Sequence, residues 1–132
     1  MIALDTNVIV RLIVGDDPRQ VARARKLLSD NDVYVSSGVL IETEWVLRRT
    51  YKLSDATMLK SLAGLLGLPN LTVPWPGRVA ELLEAFAAGM DFADAVHLMD
   101  AQSMGCANFA GFDDAMRKKA ARLGLDVAVM TP

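Results

Sequence analysis

The chain has 132 residues, a formal net charge of −2, a single cysteine and 52% hydrophobic residues. This length fits one domain, residues 1–132, with a core that needs no staples, and one cysteine excludes an intrachain disulfide framework and suits a reducing cytoplasm. No apolar run approaches the roughly 18 residues of a membrane span, and the N-terminus lacks the basic, apolar and small-residue order of a secretory signal, so a cytoplasmic protein is expected.

The chain opens with Met1-Ile-Ala-Leu-Asp5, a short apolar run closed by a carboxylate, which reads as a buried strand. A helical stretch follows from about Val8 to Val14. Asp17-Pro18 then reads as an N-cap followed by proline at the first helical position, starting a helix that runs to about Ser29. Val33-Tyr-Val35 is the next expected strand. Ser36 and Ser37 can cap a helix reaching Thr50, and Ser54 caps another to about Leu66. Leu71-Thr-Val73 is a short strand, and Pro76 is expected to open a helix ending at Gly89. Asp91 caps a helix to about Met104, with Gly105 as its stop. Ala107-Asn-Phe109 is a strand, Asp113 caps a last helix to Leu123, and Val127-Ala-Val129 closes the chain as a fifth strand.

Five short apolar strands separated by helical patterns predict an α/β fold, a five-stranded, mainly parallel sheet with helices on both faces. In such a sheet the site is expected beyond the carboxyl ends of the strands. Asp5 ends the first strand, Glu42 lies early in the helix after the second, Asp94 occupies the first turn of the helix leading to the fourth, and Asp113 follows the fourth. Acids from four segments would then share one rim.

Each acid also has an ordinary reading. Asp91 and Asp94 form a capping-box-like pair, and Asp113 is a good N-cap. Glu42 borders an apolar stripe, and helical geometry does not prefer it to Glu44. Asp5 is different, because Asp is depleted in strands and a carboxylate closing a buried strand must be paired, capped or metal-bound.

Four stretches carry a family resemblance. Leu4-Asp5-Thr6-Asn7-Val8 resembles the opening of PIN domains, especially the VapC-type toxins of toxin–antitoxin pairs. Val35-Ser-Ser-Gly-Val-Leu-Ile-Glu42 looks like their second motif and Asp91-Phe-Ala-Asp94-Ala-Val-His97-Leu like their third. Phe109-Ala-Gly-Phe112-Asp113 matches the fourth, with Gly111 where the family often has Thr. The resemblance spans essentially the whole chain in order.

It implies a ribonuclease cutting RNA with two Mg²⁺ or Mn²⁺ ions. Asp5 and Asp94 would be the direct ligands, Glu42 and Asp113 would complete the shell partly through water, and Thr6 and Asn7 would support it. One His and one Cys could not build a typical zinc site. Two divalent ions would turn the formal −2 into +2, leaving Arg48, Arg49, Arg117, Lys118, Lys119 and Arg122 to face RNA. The toxin reading further implies a homodimer and a cognate antitoxin. The alternatives are a housekeeping RNA-processing nuclease and a catalytically silent PIN-fold binding module. A receiver-like domain lacks its adjacent acids and lysine here, and a haloacid-dehalogenase-like phosphatase would need Asp where Asn7 stands.

Other residues have plainer expectations. His97 reads as a surface or half-buried helical histidine, and Arg11 as either a substrate contact or a solvated cation. The cations from Arg117 to Arg122 suit a helix C-terminus. Trp45 and Trp75 are expected in the core or an interface, and Cys106 as a small buried hydrophobe. The high hydrophobic fraction suggests self-association through the early helices.

Overall fold

The computed structural model describes all residues, 1–132, and the chain divides into two compact units, Met1–Pro74 and Trp75–Pro132.

In the first unit the elements are β1 (Ile2–Ala3), α1 (Thr6–Val14), α2 (Pro18–Asp30), β2 (Val33–Tyr34), α3 (Ser37–Arg49), α4 (Asp55–Leu66) and β3 (Leu71–Thr72). The three strands form a parallel sheet in the order β1-β2-β3, with Ile2 opposite Val33 and Val33 opposite Leu71. The ladder extends past the strands, since Leu4 N–H donates to Tyr34 C=O at 2.9 Å and Val35 N–H to Thr72 C=O at 3.0 Å. Each crossover is a helix pair stepping in the same direction. Right-handed crossovers of that kind put both pairs on one face, in keeping with the packing of α1 against both α2 and α3 and of α3 against α4. Leu4, Ile9, Val33, Val35, Leu40, Leu47 and Leu62 are buried in the core.

The expected caps are present. Asp17 accepts from the N–H groups of Arg19 and Gln20, Ser36 from Val39 and Ser54 from Thr57, which satisfies N–H groups that have no partner within their helices. Helix α1 begins at Thr6 rather than near Val8, and Gly15 ends it at φ 71°, a left-handed conformation that glycine adopts without a Cβ clash.

The second unit holds α5 (Val79–Ala87), α6 (Phe92–Ser103), β4 (Asn108–Ala110), α7 (Asp114–Leu123) and β5 (Ala128–Met130). Strands β4 and β5 pair in parallel, Phe109 opposite Val129, with α7 as their crossover packed on β5. Helices α5 and α6 pack together, and Phe86 meets Phe92 edge to face with ring centroids 5.4 Å apart. Trp75 is only 1% exposed and donates its indole N–H to Asp100 Oδ1 at 2.9 Å.

Further expectations need correction. Strand β1, read as buried, has both Ile2 and Ala3 exposed. The five strands do not share one hydrogen-bonded sheet but form parallel sheets of three and two strands. Strands of two or three residues make few ladder bonds, so the sequence pattern marks their existence without fixing their partners. Helix α5 starts at Val79, not at Pro76, because Pro76 and Gly77 form a turn and Gly77 takes φ 85°. Cys106 is exposed rather than buried, just past the end of α6.

Candidate active site

Within the first unit, Asp5 and Glu42 occupy different surroundings. Asp5 sits in extended conformation after β1 and caps α1, its Oδ1 accepting from Thr6 N–H at 2.8 Å. One carboxylate oxygen is therefore used by the helix and the other is left over. Thr6 is buried beneath this corner and Asn7 is exposed on the first turn of α1. Glu42 is exposed on α3, six residues after the Ser36 cap.

Glu42 and Glu44 differ in burial. Glu44 is 5% exposed, and Arg48 donates Nε to its Oε1 at 2.8 Å and Nη2 to its Oε2 at 3.3 Å. Glu44 is thus held in a structural ion pair, whereas Glu42 keeps its carboxylate in solvent.

Arg11 has defined partners in this unit. Its Nε donates to Gln20 Oε1 at 2.7 Å, and its Nη1 donates to Asp16 Oδ1 at 2.9 Å and to the Tyr51 hydroxyl at 3.0 Å. The Tyr51 bond, then Asp16, raise its pKa against the cost of desolvation.

In the second unit, α6 and α7 bring their N-terminal acids into electrostatic contact. Asp91 caps α6 by accepting from Asp94 N–H at 3.1 Å, and Asp113 caps α7 by accepting from Met116 N–H at 3.0 Å. Asp94 lies in the first turn of α6 and is partly buried. Its carboxyl pKa is raised, first by that burial and then by the negative charges of Asp91 and Asp113, with His97 and Lys119 opposing. Lys119 also donates its ammonium to Gly89 C=O at 2.6 Å. His97 is exposed and stacks on Phe109, ring centroids 6.5 Å apart at 16°. Phe112, just before Asp113, is 81% exposed.

The structure therefore realises the capping roles of Asp5, Asp91 and Asp113, and it adds the electrostatic coupling of Asp94 with Asp113. The donors are all carboxylate oxygens, the chemistry a hard divalent cation takes. No group of three or more His, Cys, Asp or Glu side chains is arranged to hold one ion. At Gly111, where a hydroxyl residue would resemble the family more closely, an added Cβ would come no nearer than 4.0 Å to the Phe109 ring, so the fold does not require glycine there.

Two features escaped the sequence reading. The partial burial of Asp94 is set by tertiary packing and has no local signal. The alignment of Gln20 and Arg23 beside Arg11 had a weak one, their i, i+3 spacing on α2.

No match was found among curated proteins. Among solved structures, the chain is similar to VapC20 of Mycobacterium tuberculosis, described as a sarcin-ricin loop cleaving toxin. The identity is 21%, the match covers 88% of this chain and 92% of that one, and the TM-score is 0.43. The profile of the PIN domain family matches residues 2–122, nearly the whole sequence and all four acidic motifs, and the chain belongs to that family.

Proposed function

We propose that the protein is an endoribonuclease that hydrolyses RNA phosphodiester bonds with Mg²⁺ or Mn²⁺, its ligands being Asp5, Glu42, Asp94 and Asp113. The observation that carries this reading is the PIN family match over residues 2–122, which takes in all four acidic motifs, and the Asp94 carboxyl, whose ionisation is opposed by burial and by Asp91 and Asp113, is in keeping with it. A concentration of negative charge is unfavourable for the bare fold and would repel a phosphate, and divalent cations reverse both effects. When bound, such ions make water nucleophilic and neutralise charge on the attacked phosphate.

The chain's own residues have definable parts in this. Asp5 and Asp113 each use one oxygen to cap a helix and keep the second for a cation. The caps fix the carboxylates on rigid helix starts, which limits the entropy lost on ligation. Lys119 and His97 temper the charge around Asp94. Buried Thr6 supports the Asp5 corner, and Asn7 on the next position offers an amide to the ligands or to a phosphate.

The wording of the four motifs supports the narrower reading of a VapC-type toxin, with a cognate antitoxin and a homodimeric assembly. A housekeeping RNA-processing nuclease is the competing identity. A short reading frame for a DNA-binding antitoxin beside the gene separates the two.

The direct test is incubation with total cellular RNA in Mg²⁺ and in Mn²⁺, followed by mapping of new ends. Cleavage should appear with either ion, vanish in EDTA and return poorly with Zn²⁺. Full activity of metal-free protein would sink the mechanism, and no cleavage under any condition would sink the enzyme.

A further inference from the structure

We infer that the cleft between α1 and α2 in the first unit is a phosphate-binding subsite for the RNA strand, lined by Asn7, Arg11, Gln20 and Arg23. The inference rests on the ribonuclease reading above and extends it to a specific substrate contact.

The cleft has a volume of about 330 Å³ and an apolar floor that includes Val8 and Leu27. Its polar lining is one-sided in chemistry. Two guanidinium and two amide side chains face it and no carboxylate does. Arg11 is pre-oriented, since Tyr51 and Asp16 hold its Nη1 and Gln20 holds its Nε, which leaves Nη2 as its remaining donor. Gln20 accepts from Arg11 through Oε1, so its amide nitrogen is left to donate. Arg23 is exposed and has no ion-pair partner. A lining of two guanidinium groups, one of them held in place, and two amides, with no carboxylate, suits an anion with several acceptor oxygens, which describes a phosphodiester.

The position favours nucleic acid over an acidic protein segment. Asn7 opens the cleft two residues after Asp5, on the helix that Asp5 caps. From Asp5 to Arg11 the helix rises roughly 9 Å, a reach that suits phosphates beside the one being cut. Contacts to neighbouring phosphates hold the strand in register without reading its sequence.

The test measures binding of a phosphorothioate RNA strand roughly ten nucleotides long, resistant to cleavage, in Mg²⁺ over a range of salt. The variants are Arg23→Gln and, as a control of equal charge on the same helix, Arg25→Gln, which lies outside the cleft. Arg23→Gln should weaken binding about tenfold at low salt and reduce the slope of log K against log salt by about 0.7, the loss of one phosphate contact on a single strand. Arg25→Gln should change neither by a comparable amount. If the wild type binds RNA and the two variants behave alike, the subsite is wrong while the ribonuclease reading stands. If the wild type neither binds nor cuts any RNA, both fall. If Arg23→Gln spares RNA but abolishes binding of an acidic peptide, the cleft is a protein site and the inference is overturned.

Discussion

The carboxylate of Asp91 accepts a hydrogen bond from Asp94 N–H at 3.1 Å and, in the same place, adds to the negative field that opposes ionisation of the Asp94 side chain. The two neighbours therefore differ in what their removal should do. Asp91→Ala removes a cap and should cost about 1 kcal/mol of stability. Asp94→Asn removes an unfavourable charge and should leave metal-free stability equal or higher at neutral pH, with RNA cleavage at background. The sign follows from linkage. The native Asp94 carboxyl binds its proton more tightly than the unfolded one, so its penalty is absent below the ordinary carboxylate pKa and grows as pH rises through the raised native value. The advantage of Asp94→Asn should shrink on acidification. Urea denaturation in EDTA at neutral and acidic pH measures this, and a variant that unfolds more easily yet still cuts RNA would overturn the assignment.

Capping and metal ligation can be separated at Asp113 and Asp5, because serine caps a helix about as well as aspartate but carries no charge. Asp113→Ser should hold stability within about 0.5 kcal/mol, while Asp113→Ala should lose about 1 kcal/mol. Both should lose cleavage. The same pattern is expected at Asp5, whose Oδ1 caps α1. Retained activity in the serine variants would reduce these acids to structural caps.

The two glutamates of α3 should behave oppositely. Glu44 is buried and paired with Arg48, so Glu44→Gln should cost about 1–2 kcal/mol, with the activity of the folded fraction kept. Glu42 is exposed, so Glu42→Gln should stay within about 0.5 kcal/mol and impair cleavage. Thermal melts beside cleavage rates distinguish them.

Self-association through the first unit is the expectation best tested by sedimentation. Trp45 on α3 is 50% exposed, with the Arg49 guanidinium 5.5 Å from its ring centroid. An indole so placed suits the centre of an interface. The wild type should sediment as a dimer at micromolar concentration and Trp45→Glu as a folded monomer. A monomeric wild type would remove the homodimer from the proposal.

Much of this protein was determined locally. Helix starts at Pro18, Ser37, Asp55, Phe92 and Asp114 follow from the capping residue just before each of them, because a side-chain oxygen two or three residues from an orphan N–H needs nothing distant. Family membership was legible for the same reason, as short motifs whose order does not depend on packing. Tertiary structure decided the rest. Periodicity could not tell Glu42 from Glu44, since both border the same stripe and only packing buries one of them beside Arg48. Strand pairing into three and two was likewise invisible, as each ladder joins residues at least twenty positions apart through backbone groups that every residue carries. The shift at Asp94 belongs to this second class. Burial, its largest cause, and the charge of Asp113 come from what folding brings against the carboxyl, while the charge of Asp91 alone comes from a neighbour along the chain.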